Sequence, residues 1–93
     1  MSCVKTEYIS GDYVMARIID GEKKNLIGEN LKKLRAKLRI SQQELSNKLE
    51  LLGVYICRGS VSRIEDCSRT VTDIELFAIA EVLGVDIKEL YRQ

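Results

Sequence analysis

Apolar residues recur at spacings of three and four along most of this chain. From Asn25, the residues Ile27, Leu31, Leu34 and Leu38 form one stripe. This predicts a helix over about 26–38, with Asn25 as its cap. Ser41-Gln-Gln-Glu44 has the form of a capping box, in which the serine oxygen takes an orphan N–H and the glutamate reaches back. Leu45, Leu49 and Leu52 follow at helical spacing, and Gly53 is placed to stop them, so a second helix is expected over about 42–52. Val54, Tyr55 and Ile56 make an apolar connection. A third helix, over about 58–66, would turn Val61, Ile64 and Cys57 inward and Arg58, Gly59, Ser62 and Arg63 outward. Thr72-Asp-Ile-Glu75 repeats the capping box, with Leu76, Ile79, Ala80 and Leu83 as the inner face and Gly84 as the stop. Asp86-Ile-Lys-Glu89 opens a last short helix that ends near Tyr91.

Residues 1–22 follow another pattern. TEYI and YVMARII are strand-like, and SGD between them is turn-like. The expected organisation is therefore an N-terminal arm or short hairpin over 1–22, followed by a compact unit of five helices over 23–93. The fold class is all-α. No internal repeat or low-complexity tract interrupts it.

Ninety-three residues have room for one core. No run approaches the ~20 apolar residues that a membrane span needs. The start, MSCVKTEYISGDY, lacks the apolar centre of a secretory signal, so a cytoplasmic protein with no membrane contact is expected. Histidine is absent, and Cys3, Cys57 and Cys67 show no CxxC spacing, which speaks against a structural metal. Cys57 and Cys67 at the two ends of one helix would stand roughly 15 Å apart. A disulfide needs Cα atoms within about 7 Å, so free thiols in a reducing compartment are expected.

The net charge is +1, but its distribution is uneven. Residues 23–39 carry seven bases (Lys23, Lys24, Lys32, Lys33, Arg35, Lys37, Arg39) against one acid, Glu29, while residues 70–93 carry five acids against two bases. A positive end can steer a polyanion despite near-neutral totals, although a plain solvated helix face gives the same count. Gly59 costs a helix interior about 1 kcal/mol, so its position near the start of the third helix suggests the close approach of something, or simply a frayed first turn. No phosphate loop or cysteine–histidine pair is present, and an enzyme is not expected. No cofactor or small-molecule ligand is expected either.

The segments IGENLKKLRAKLRISQQEL, GSVSRIE and TDIELFAIAEVLGV, in that order, resemble the XRE-type helix-turn-helix family, the fold of the lambda-like phage repressors and Cro proteins. The likeness covers roughly residues 26–91. It implies a five-helix lambda-repressor-like domain whose third helix enters the major groove of double-stranded DNA. Residue by residue, it implies that Arg58, Gly59, Ser62 and Arg63 meet base edges, where an arginine–guanine pair is worth about 1–3 kcal/mol of discrimination. It implies that Gln42, and Ser68, Arg69 and Thr70 after the third helix, meet phosphates. It further implies an ion pair between Arg35 and Glu65 that buttresses the third helix without reading DNA.

Three features depart from the family pattern. The connection before the third helix is about five residues longer than the family's usual short turn. Cys57 replaces the usual serine or threonine cap, and Cys67 replaces the usual terminating glycine. The function expected is a sequence-specific transcriptional regulator acting as a homodimer, because one small domain offers few base contacts. Phe77 and Leu90, or the arm over residues 6–19, are candidate dimer surfaces. The alternative is a protein-interaction module on the same fold, of antitoxin or anti-repressor type.

Overall fold

The computed structural model describes residues 6–9, 12–15 and 22–92. Strands β1 (Thr6–Ile9) and β2 (Asp12–Met15) pair antiparallel, with Tyr8 opposite Tyr13 and Thr6 opposite Met15. Residues 16–19 of the strand-like stretch, and residues 10 and 11 of the expected turn, lie outside the described residues. Five helices follow among the described residues: α1 (Gly28–Lys37), α2 (Gln42–Leu51), α3 (Arg58–Glu65), α4 (Asp73–Leu83) and α5 (Ile87–Leu90).

Both capping boxes form. Glu44 N–H donates to Ser41 Oγ at 3.0 Å and Glu75 N–H to Thr72 Oγ1 at 3.2 Å, and each glutamate accepts the cap residue's own N–H in return. Asp86 caps α5 by accepting from Lys88 N–H at 3.1 Å. Four helices end in a left-handed residue, at Arg39 (φ 58), Gly53 (φ 82), Cys67 (φ 64) and Gly84 (φ 67). After α3, for example, Cys67 N–H donates to Ile64 O and Ser68 N–H to Arg63 O, which satisfies the last carbonyls. Glycine adopts this backbone freely, whereas Arg39 and Cys67 carry a Cβ that costs about 1 kcal/mol or more there.

The core is assembled from one face of each helix. Leu31, Leu45, Leu49, Val61, Ile64, Ile79 and Leu90 are its largest fully enclosed side chains. Ile27 and Ile56 join it from the segments before α1 and α3. Leu38 departs from the expected stripe and is 48% exposed. It caps the C-terminus of α1, just before Arg39 reverses the chain, so it no longer shares the inner face. Leu52 leaves the stripe of α2 for the same reason. Cys57, expected inward, is exposed. Leu90 is fully buried, which removes it as a dimer surface.

The N-cap residue of α1 is Ile27, and the expected cap, Asn25, serves the helix start from two residues ahead of it. Its Oδ1 accepts from Ile27 and Gly28 N–H, and its Nδ2 donates to Ile64 O at 3.1 Å and Arg69 O at 2.8 Å. The start of α1 is thereby tied to the end of α3. Gly28 makes this approach possible, because a Cβ there would stand 2.1 Å from Ile64 O.

Candidate nucleic-acid interface

Helix α3 divides into two faces. Val61, Ile64 and Glu65 are buried, while Arg58, Gly59, Ser62 and Arg63 are exposed together on the opposite side. The helical period of 3.6 residues produces this division directly. Arg63 folds back along the helix, and its Nη2 donates to Ser60 Oγ at 3.0 Å. A Cβ added to Gly59 would meet only Arg63 Nη1, at an ordinary 3.7 Å. The protein's own packing therefore does not demand glycine at this position, and the helix backbone there is open to a close neighbour.

The other side of α3 is held by a buried polar cluster. Arg35 Nε donates to Glu65 Oε2 at 2.6 Å and Arg35 Nη2 to Glu65 Oε1 at 3.1 Å, a two-point pairing. Arg35 Nη1 also donates to Ile40 O at 2.9 Å. Gln42 Nε2 donates to Glu65 Oε1 at 3.0 Å, which brings α2 into the same cluster. Glu65 is only 6% exposed, yet it accepts from both neighbouring helices. Its hydrogen bonding raises the Arg35 pKa above the ordinary arginine value, so this guanidinium stays charged. The cluster ties α3 to α1 and α2.

Cys57 is the N-cap residue of α3, and its thiol makes no capping hydrogen bond to the helix. The thiol lies 3.4 Å from Ser60 Oγ. Hydrogen bonding to the Ser60 side chain is the main cause that holds its pKa below the usual thiol value, and the charge of Arg63 adds to it. Cys67, by contrast, is buried.

After α3, Ser68 and Thr70 are exposed. Hydrogen bonding to the Ser68 side chain, and after it to Ser68 N–H at 3.0 Å, holds the Asp66 carboxyl below its usual range. Arg69 is placed differently. Its Nη1 and Nη2 donate to the two carboxylate oxygens of Glu75 at 3.1 and 2.8 Å, and Nη1 also reaches Thr70 O. That guanidinium braces the α3–α4 loop against the first turn of α4. Gln42, which was expected beside a phosphate, has one amide proton on Glu65, leaving the other available.

Sequence reasoning did not single out Gly28, the Asn25 bridge, the Gln42–Glu65 bond or the Arg69–Glu75 pair. It had no signal for partners carried on other helices, and the Arg69–Glu75 pair depends on how the α3–α4 loop folds.

Several apolar side chains remain exposed. Leu51, Leu52 and Tyr55 lie at the end of α2 and in the connection after it, and Ile74 and Phe77 lie one turn apart on α4. Among the described residues, no His/Cys/Asp/Glu group suits a metal ion, and no helix is long and apolar enough to cross a membrane.

Comparison with known proteins agrees with this geometry. A family profile described as helix-turn-helix matches residues 31–90. The fold is similar to that of the restriction-modification controller protein C.AhdI from Aeromonas hydrophila, solved by crystallography. The TM-score is 0.60 and the identity 26%, over 69% of this chain and 86% of that one. No curated protein matches the sequence.

Proposed function

The chain belongs to the helix-turn-helix family, and we propose that it is a sequence-specific transcriptional regulator that binds double-stranded DNA in the cytoplasm as a homodimer. Residues 23–93 form the DNA-binding unit in this reading, and residues 1–22 an arm ahead of it. The observation that carries the reading is the exposed face of α3, where two arginines flank a glycine that packing does not require.

Helix α3 would enter the major groove by its N-terminal half. Arg58 and Arg63 would donate to guanine O6 and N7, each worth about 1–3 kcal/mol of discrimination. Gly59 would let a base edge come close to the helix backbone, and Ser62 would supply a hydroxyl beside it. Ser68 and Thr70 would hold a phosphate through their hydroxyls. Gln42 would share its amide protons between Glu65 and a second phosphate, linking the backbone contact to the cluster that orients α3. We assign Arg69 a weaker phosphate contact, because its charge is already matched by Glu75. The work of such a protein is occupancy of a site, with no catalytic step.

A domain of this size reaches few bases, so specificity calls for two copies on half-sites about one helical turn apart. Ile74 and Phe77 on α4 offer an apolar patch for that contact. Similarity to a restriction-modification controller supports a regulatory role over an antitoxin-like one.

Selection of bound sequences from a random DNA pool tests the proposal. A palindromic consensus is expected, with binding that weakens as salt rises and is lost in the variant combining Arg58→Ala and Arg63→Ala. Failure to enrich any duplex in dilute buffer, or a strict monomer by light scattering with and without DNA, would refute it. Retention of a protein partner without DNA binding would favour the interaction-module reading.

A further inference from the structure

We infer that Tyr55 is an additional DNA-contacting residue, with its phenol set against the sugar–phosphate wall of the groove that α3 enters. This rests on the DNA-reading role proposed above and extends it to the long connection between α2 and α3.

A single exposed aromatic side chain is ordinary on a protein surface. Tyr55 differs in how it is held. Gly53 turns the chain back at the end of α2 through its positive φ, and Val54 N–H donates to Leu49 O at 3.0 Å. One residue beyond Tyr55, Ile56 is 2% exposed, and its carbonyl accepts from Ser46 Oγ at 2.6 Å. Burial then alternates along the segment: Val54 is half-buried, Tyr55 exposed, Ile56 buried and Cys57 exposed. Anchors on both sides thus hold Tyr55 outward at 78% exposure. Its phenol has no hydrogen-bond partner among the described residues.

Position supplies the occupant. Cys57 caps α3, so this segment delivers the chain to the helix end that bears Arg58 and Gly59. Arg58 lies three positions after Tyr55, which limits their Cα atoms to about 11 Å. The major groove is about 12 Å wide. A duplex whose bases reach the first turn of α3 therefore brings its backbone within range of Tyr55. Phosphate oxygens accept the phenolic O–H, and the ring covers the neighbouring deoxyribose. Tyrosine is among the side chains that make such contacts. Being uncharged, it releases no counterion.

The experiment uses a duplex selected by the wild-type chain and measures its Kd across a salt series for Tyr55→Phe, Tyr55→Ala and Arg58→Ala. Tyr55→Phe is expected to weaken binding about three- to tenfold, the value of one hydrogen bond, and Tyr55→Ala more. Both should keep the wild-type salt slope and thermal midpoint, whereas Arg58→Ala should flatten the slope. Wild-type affinity in both tyrosine variants overturns the inference while leaving the α3 reading intact. A loss of affinity that tracks a drop in mass by light scattering also overturns it, by assigning Tyr55 to a contact between protein chains. If the wild type selects no duplex, both readings fall.

Discussion

Replacing Arg35 by methionine isolates the cluster that orients α3. The substitution keeps most of the side-chain length and removes three donors, two to Glu65 and one to Ile40 O. The Glu65 side chain, 4% exposed, is left with the Gln42 amide alone. Orphaning one partner of a buried pair costs about 3–5 kcal/mol. Glu65→Gln is the milder change. Arg35 is 16% exposed and retains Ile40 O, so a cost of about 2 kcal/mol is expected, that of hydrogen bonds to a charged group.

The double variant should be less destabilised than the sum of the two, with a coupling of about 1.5 kcal/mol or more. Urea unfolding at neutral pH measures all four corners of this cycle. With a slope near 1 kcal/mol/M, Arg35→Met should lower the midpoint by roughly 3–5 M. Additive single effects, with coupling below about 0.5 kcal/mol, would show that the pairing does not orient α3 in solution.

Two further outcomes separate stability from binding. Gly59→Ala should raise the thermal midpoint, by up to about 1 kcal/mol of stability since its Cβ meets no clash, yet weaken the selected duplex; tighter DNA binding would remove the close-approach role of Gly59. Arg69 is the main cause that holds the Glu75 carboxyl below the usual glutamate range, so this pair stabilises the fold above the unfolded-state pKa and is lost as pH falls through the folded one. Glu75→Gln keeps the capping box, should cost about 1–2 kcal/mol at pH 7, and should flatten the acid limb of a pH–stability curve; an unchanged limb would refute the assignment.

Local chemistry made the helices legible. Ser41 with Glu44, Thr72 with Glu75, and the leucine spacings each specify a helix start or face within four residues, and α2 and α4 form where those signals stand. The outward set on α3 was readable for the same reason, since one helical period sorts Val61 and Ile64 from Arg58 and Ser62. Gly53 and Gly84 marked left-handed ends, whereas Arg39 and Cys67 occupy the same backbone region with no sequence sign of their own beyond the place of Cys67 where the family usually has glycine.

Contacts between distant segments were decided elsewhere. Asn25 reaches Ile64 and Arg69, Gln42 reaches Glu65, and Gly28 leaves room for the Ile64 carbonyl. Leu38 and Cys57 face solvent although their spacing pointed inward. Periodicity records which side of a helix is apolar, because that depends on neighbours three and four residues away. It does not record which polar group meets another across thirty or forty residues, since only the packed core brings them within hydrogen-bond range.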